Sequence, residues 1–141
     1  MENYESLKIE NQLCFPLYAS AKEVIKKYKP YLEQIDLTYT QYITMMVLWE
    51  YGQMNVKDLG ERLYLDSGTL TPLLKKLESK GLIERKRSVA DERNLVVALT
   101  QKGTQLREKA VSIPQAMGSC INLTQEEAIT LYKLLYKVLG K

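Results

Sequence analysis

Hydrophobic positions recur at helical spacing along most of the chain, and polar residues mark where each helix begins and ends. An amphipathic helix is predicted from about Leu13 to Tyr28, and Pro30 is expected to end or kink it. The spacing Thr38-x-x-Gln41 has the form of a capping box and predicts a strongly apolar second helix. The chain therefore starts with two helices joined by a short connection.

The next segment contains two short helices separated by a polar turn. Asn55 is expected to cap the first of them, and the turn Asp66-Ser67-Gly68-Thr69 leads into a second helix that ends at Gly81. Pro72 fits best in a first helical turn, so this helix starts near Thr69 or is locally distorted. Two short helices around such a turn predict a helix-turn-helix motif.

Strand-like alternation replaces the helical period after Gly81. Residues 82–87 and 94–99 alternate, and the charged turn 88–93 joins them, which predicts a β-hairpin wing. A further helix is predicted from Thr100 to about Met117, and Thr124-x-x-Glu127 is expected to cap a last one. The predicted fold class is α+β, mainly α, with a winged helix-turn-helix at its centre.

The helices at the two ends carry apolar stripes that need a surface to cover. We expect one domain over residues 1–141, in which about 7–35 and 101–141 are dimerisation helices around a winged-helix region of about 36–100. A monomer whose end helices close over their own core fits the periodicity equally well. A DNA-binding role favours the homodimer.

Composition narrows the function classes. The 141 residues are 45% hydrophobic and 26% charged, with a net charge of +3, and they include no histidine. The usual general base and metal ligand are therefore missing, so we expect no enzyme, no metal site and no cofactor. The acidic start lacks a signal core and no apolar run is long enough for a membrane span, which predicts a cytoplasmic protein.

Positive charge clusters where a winged helix would meet DNA. Residues 75–93 carry seven positive and four negative side chains, and small donors precede them at the helix start. Arg93 is expected to enter a minor groove, with Asp91 orienting its guanidinium. The predicted DNA-contacting residues are Ser67, Gly68, Thr69, Thr71, Lys75, Lys76, Arg85, Arg87, Asp91 and Arg93. The alternatives are a solvated charged face, an ordinary helix cap and a surface ion pair.

Two cysteines, Cys14 and Cys120, are the candidate reactive groups. Cys14 lies near the start of the first helix, because Pro16 is best accommodated in a first turn, and the helix dipole favours a thiolate there. A thiolate can attack a peroxide O–O bond to give a sulfenic acid. Cys120 lies in a turn-like stretch between the last two helices. The alternatives are a small buried hydrophobe for Cys14 and an inert filler for Cys120.

Several motifs resemble those of the MarR family of winged-helix regulators, and within it the organic hydroperoxide resistance regulators. The family pattern appears in LESKGLIER at 77–85, DER at 91–93 and LT at 99–100. The subgroup pattern appears in ENQLCF at 10–15, LYAS at 17–20, Tyr39-x-x-Tyr42 and YLDSGTLTP at 64–72. The resemblance covers nearly the whole chain.

This resemblance implies a repressor that binds a pseudo-palindromic, double-stranded operator as a homodimer and is released by organic hydroperoxide or a related oxidant. It implies that Cys14 is the peroxide-reactive residue and that Tyr28 and Tyr39 hydrogen-bond toward it in the reduced dimer. Cys120 is consistent with the two-cysteine type, in which a C-terminal cysteine forms a disulfide between subunits. The alternatives are a repressor released by a small aromatic ligand and, in another class, a thiol peroxidase.

Overall fold

Side-chain caps begin three of the four α-helices in the first half of the chain. The computed structural model describes residues 3–88 and 94–141. Its first elements are two 3₁₀ turns, Glu5–Leu7 and Ile9–Asn11, followed by α1 (Cys14–Glu33), α2 (Tyr39–Tyr51), α3 (Val56–Leu63) and α4 (Ser67–Ser79). Thr38 and Gln41 form the predicted capping box of α2, and Asn55 caps α3 as predicted. Helices α3 and α4 form the helix-turn-helix.

The sheet has three antiparallel strands in the order β1-β3-β2, namely β1 (Gln53–Asn55), β2 (Ile83–Arg87) and β3 (Leu95–Leu99). Strands β2 and β3 form the predicted wing, with Ile83 opposite Leu99 and Arg87 opposite Leu95. Strand β1 was not predicted, because three residues are too few to show an alternating pattern. It pairs with β3 and attaches the wing to the end of α2.

The C-terminal part contains α5 (Gln101–Ala110), α6 (Ile113–Gly118) and α7 (Gln125–Val138). The prediction of one helix from Thr100 to Met117 is wrong, because the chain turns between α5 and α6. Pro114 has no amide hydrogen to donate to the Ala110 carbonyl, so a continuous helix would lose a bond there. The predicted apolar stripe still holds, since Ala110, Ile113 and Met117 are buried.

Two prolines lie inside helices. Pro30 does not end α1, which continues to Glu33. The start of α4, which the sequence leaves open, is Ser67, after an Asp66 cap, so Pro72 lies inside the helix and not in its first turn. Each proline costs one backbone hydrogen bond, and both lie on exposed faces where water can bind the carbonyl left without a donor.

Helix α2 occupies the centre of the molecule. Its Met45 and Leu48 are fully buried against side chains from α1, the helix-turn-helix and the sheet. The turn between α3 and α4 packs closely on α3, because a Cβ at Gly60 would lie 2.9 Å from the Leu65 carbonyl oxygen. This core holds α4 and the wing in a fixed relation to α2.

Large apolar side chains remain exposed at both ends of the chain. None of the α7 residues is buried within the described chain, although the Thr124–Glu127 capping box forms as predicted. The exposed side chains include Leu7, Leu13, Phe15, Leu17, Tyr18 and Ile25 near the start, and Ile129, Leu131, Tyr132, Leu134 and Val138 on α7. Such surfaces are typical of subunit interfaces. Among the described residues, no helix is both long and apolar enough to cross a bilayer.

Candidate functional site

The predicted DNA-contacting residues of α4 share its exposed face. Leu70, Leu73, Leu74 and Leu77 face the core. Two parallel rows at four-residue spacing face outward, namely Ser67, Thr71 and Lys75 in one row and Gly68, Pro72 and Lys76 in the other. Small side chains therefore occupy the first two turns and positive charges the third, which gives a helix that can enter a groove closely.

The start of α4 is already capped by a carboxylate. Asp66 Oδ1 accepts a hydrogen bond from the Thr69 amide at 2.8 Å, and this bond lowers the pKa of the carboxyl group. The Thr69 amide is therefore not available to a DNA phosphate. The hydroxyl groups of Ser67 and Thr69 remain at the surface.

The wing residues divide between two environments. Arg87 is exposed at the end of β2, whereas Arg85 is partly covered and pairs with Glu78 of α4 at 3.1 Å. Asp91 and Arg93 lie outside the described residues. Lys75 and Lys76 are exposed on α4.

Cys14 is the first residue of α1, and Pro16 lies in the first turn, as predicted. Its side chain is exposed in the single chain. Apolar side chains surround it in sequence, and they are themselves open, with Leu13 86% and Phe15 46% exposed. A second chain packed here would enclose the thiol in an apolar environment.

Tyr28 and Tyr39 form a cluster with a third tyrosine, Tyr42. The ring centroids of Tyr28 and Tyr39 are 4.9 Å apart, and Tyr42 lies 5.8 Å from Tyr28 and 6.3 Å from Tyr39. Burial raises the pKa of all three phenols, and the pKa of Tyr42 reaches about 12. The hydroxyl groups therefore stay protonated at neutral pH and can donate hydrogen bonds.

Cys120 is partly buried and held by two hydrogen bonds. Its thiol donates to the Ala116 carbonyl at 3.4 Å, and its sulfur lies 3.4 Å from the Tyr31 hydroxyl. Because the single thiol proton is directed at Ala116, the hydroxyl of Tyr31 is the donor in the second bond. This bond raises the pKa of Tyr31.

The length of α1 separates Cys14 from the other groups of its own chain. Tyr28 lies fourteen residues after Cys14 on the helix, a rise of about 21 Å at 1.5 Å per residue. Cys120 contacts Tyr31, which lies still further along α1. A disulfide needs Cα atoms within about 7 Å, so Cys14 cannot reach Cys120 of the same chain in this conformation.

Tyr31, Tyr42 and Glu78 were not predicted as site residues. Tyr31 lies three residues after Tyr28 on the same helix, and that spacing alone would have placed it beside the cluster. The contact between Tyr31 and Cys120 joins residues 89 positions apart, and nothing in the sequence indicates it.

The described residues also bear on the alternatives. An open cavity of about 560 Å³ lies between α3 and α4 and is lined by Val56, Gly60, Tyr64 and Leu70. It lies within the helix-turn-helix and not beside the end helices, where the aromatic-ligand alternative would place a pocket. Residues 3–88 and 94–141 contain no cluster of three potential metal ligands.

Comparison with known proteins gives consistent matches. Residues 26–110 match the family described as transcriptional regulator SarA/Rot. The chain is 49% identical over 140 residues to the organic hydroperoxide resistance transcriptional regulator of Bacillus subtilis, covering 99% of this chain and 95% of the relative. It is 47% identical over 133 residues to the HTH-type transcriptional regulator SarZ of Staphylococcus saprophyticus, covering 94% and 91%.

Among solved structures, the chain is similar to AbfR of Staphylococcus epidermidis in several states. Reduced AbfR bound to DNA aligns with a TM-score of 0.78 at 34% identity, covering 96% of this chain and 95% of that one. Overoxidized AbfR bound to DNA aligns with a TM-score of 0.77. The disulfide form of AbfR aligns with a TM-score of 0.68 at 33% identity, covering 96% and 93%.

Proposed function

Because this chain belongs to the SarA/Rot family of winged-helix transcriptional regulators, we propose that it is a dimeric repressor released from its operator when organic hydroperoxide oxidises Cys14. Family membership confirms the expectation of a DNA-binding winged-helix regulator that is not an enzyme. Neither the ligand-released alternative nor the peroxidase has a specific observation in its favour. A repressor of chromosomal genes acts in the cytoplasm, where we place this protein.

The exposed face of α4 supports major-groove binding. Its small residues Ser67, Gly68, Thr69 and Thr71 are suited to base edges and nearby phosphates, and Lys75 and Lys76 to backbone phosphates. Arg87 at the end of β2 is a further proposed contact, as are Asp91 and Arg93, which lie outside the described residues. In a two-fold dimer the two α4 helices enter successive major grooves, about 34–36 Å apart, of a pseudo-palindromic duplex.

The unpaired apolar surfaces at both chain ends support the dimer. We assign residues of about 7–35 and 101–141 to the dimerisation region and about 36–100 to the winged helix, within one domain over 1–141. A two-fold interface uses the same surfaces on both subunits, so the start of α1 and the open face of α7 would be covered together.

The separation of Cys14 from the tyrosine cluster is the observation that carries the sensor assignment. Within one chain, Cys14 is too far from Tyr28 and Tyr39 to contact them. In a two-fold dimer, Cys14 of one subunit can lie beside Tyr28 and Tyr39 of the other. The protonated phenols then donate hydrogen bonds to the sulfur. Cys120 contacts Tyr31, which follows Tyr28 on α1. Cys120 would therefore lie near the Cys14 sulfur of the other subunit.

The proposed reaction uses one hydroperoxide and two thiols. The Cys14 thiolate attacks the O–O bond, a sulfur–oxygen bond forms, and the alkoxide leaves as the alcohol after taking a proton. The Cys120 thiol of the other subunit then attacks the Cys14 sulfenic acid, the S–O bond breaks as a disulfide forms, and the leaving hydroxide takes up the thiol proton to become water. The cysteines are oxidised by two electrons and the peroxide is reduced by two.

The AbfR structures favour the disulfide over simple oxidation as the releasing state. Overoxidized AbfR is bound to DNA, as is reduced AbfR. The present chain aligns better with the reduced, DNA-bound form than with the disulfide form of the same relative, at TM-scores of 0.78 and 0.68. A disulfide that pulls α1 of one subunit toward Cys120 of the other would change the spacing of the two α4 helices.

The test is a DNA mobility shift on the duplex upstream of the protein's own gene, before and after stoichiometric cumene hydroperoxide. We expect reduced parent, Cys14→Ser and Cys120→Ser all to bind, and oxidised parent alone to lose binding. Non-reducing gels should show a dimer-sized band only for oxidised parent. Release of Cys14→Ser by peroxide would refute the sensor assignment, and a monomer band throughout would refute the intersubunit disulfide.

A further inference from the structure

An ion pair joins α4, the proposed recognition helix, to the wing. Arg85 donates from Nε and Nη2 to the two carboxylate oxygens of Glu78 at 3.3 and 3.1 Å. The Arg85 backbone amide donates to the same carboxylate at 3.2 Å. Three hydrogen bonds thus attach β2 to the last turn of α4, in the fork geometry that makes arginine–carboxylate pairs strong and directional.

Strand alternation places Arg85 on the inner face of the wing. Ile83, two residues before it, is 2% exposed, and the Arg85 side chain is 21% exposed on the same face. Glu84 and Lys86 lie on the opposite face, where they are exposed and pair with each other at 3.2 Å. Arg85 is therefore directed at α4 and its charge is balanced there, unlike the exposed lysines of the helix.

We propose that the Glu78–Arg85 pair sets the position of the wing relative to α4 and thereby determines operator specificity, with Arg85 a positioning residue and not a DNA contact. The inference rests on the proposed reading of DNA by α4 and the wing. These two elements must enter adjacent grooves at once, so a shift of one against the other weakens specific contacts. Nonspecific binding depends on the number of phosphates neutralised and is insensitive to such a shift.

The sign of one substitution separates this proposal from simple electrostatics. Glu78→Gln removes a negative charge from the DNA-reading helix, and charge alone predicts tighter binding to every duplex. The proposal predicts about tenfold weaker operator binding, as expected for losing a charge-assisted bidentate pair, with unchanged affinity for a random duplex of the same length. Arg85→Lys keeps the positive charge but cannot form the two-pronged hydrogen bonds of a guanidinium. It should therefore show the same loss of operator affinity with unchanged affinity for the random duplex.

Salt dependence gives a second readout. The slope of log K against log salt should be the same for Arg85→Gln as for the parent, because the arginine neutralises no phosphate. The matched control is Lys75→Gln, which should lower the slope by about 0.9 and weaken operator and random duplex alike. The double variant Glu78→Gln/Arg85→Gln should bind the operator no worse than the weaker single variant.

The experiment titrates the parent and all five variants against both duplexes, with thermal unfolding measured in parallel so that affinities refer to folded protein. Tighter binding by Glu78→Gln, parental binding by Arg85→Lys and a salt slope lowered by about 0.9 in Arg85→Gln would identify Arg85 as a phosphate contact and overturn the proposal. If the parent itself does not distinguish the two duplexes, the proposed repressor function fails, whatever the variants do.

Discussion

A buried glycine at the start of α5 offers a direct test of how the end helices are attached to the DNA-reading part. A Cβ at Gly103 would lie 2.0 Å from the Leu82 carbonyl oxygen and 3.0 Å from its carbonyl carbon. Both atoms belong to the backbone between α4 and β2, which cannot move without displacing the wing. Trp49 also donates to the Gly103 carbonyl from Nε1 at 2.8 Å.

The expected cost of Gly103→Ala follows from these contacts. Overpacking against backbone costs about 1–3 kcal/mol, and loss of the Trp49 bond adds about 1 kcal/mol. We therefore expect a fall of about 2–4 kcal/mol in the free energy of unfolding, and of about 10 °C in Tm. Gly118→Ala is the matched control, because nothing lies within 4 Å of a Cβ at this helical position, and its effect should stay within about 1 kcal/mol.

The assay is urea unfolding at one fixed protein concentration, followed by far-ultraviolet circular dichroism and by fluorescence of Trp49, the only tryptophan. The Trp49 signal reports on the junction itself and should already differ in the native state of Gly103→Ala. A loss of less than about 1 kcal/mol, or equal effects of the two alanines, would show that the backbone at Leu82 yields easily and that the junction is not rigid.

Two further predictions concern the tyrosines. Tyr31→Phe removes the donor to Cys120, so disulfide formation after peroxide should slow about fivefold while Cys14 sulfenic acid forms at the parental rate. Rapid-quench mass spectrometry measures both rates, and Tyr51→Phe is the control. An unchanged rate of disulfide formation would contradict the role assigned to Tyr31. In the second, the folded-state pKa values of Tyr28, Tyr39 and Tyr42 are raised, so the folded state holds these protons more tightly than the unfolded one. The contribution of these protons to the free energy of unfolding should be complete below pH 10 and be lost as pH rises through about 12. Urea unfolding at a series of pH values should therefore show that Tyr42→Phe loses less stability at alkaline pH than the parent does.

Local signals in the sequence were sufficient for most of the fold. The capping boxes at Thr38 and Thr124, the Asn55 cap and the alternation after Gly81 each depend on neighbouring residues, and each prediction is confirmed. The errors arose where tertiary packing outweighed local preference. Pro72 is tolerated inside α4 because the Asp66 cap and four buried leucines hold the helix around it.

The candidate site could be predicted only in part, because its contacts join distant positions. The exposed face of α4 follows from helical periodicity, so the surface residues that we propose as DNA contacts could be named from the sequence. Charge alone suggested Arg85 as a DNA contact, but strand alternation and the position of Glu78 direct it inward. Tyr31 was not predicted because its partner Cys120 is distant in sequence. Cys120 lies in the turn after α6, and the packing of α6 brings this turn beside α1.

The geometry also indicates how a change at the tyrosines would reach α4. Tyr39 is the first residue of α2, and Gln41, in the same turn, accepts a hydrogen bond from Lys80 Nζ at 3.3 Å. Lys80 is the C-cap residue that directly follows α4, and it also donates to the Asp36 carbonyl just before α2. Under the proposed mechanism, an oxidised sulfur that displaced Tyr39 would therefore act on a segment bonded directly to the end of α4. A rigid core transmits such a shift instead of absorbing it, so the tyrosine cluster and the α4 helix are mechanically connected within each subunit.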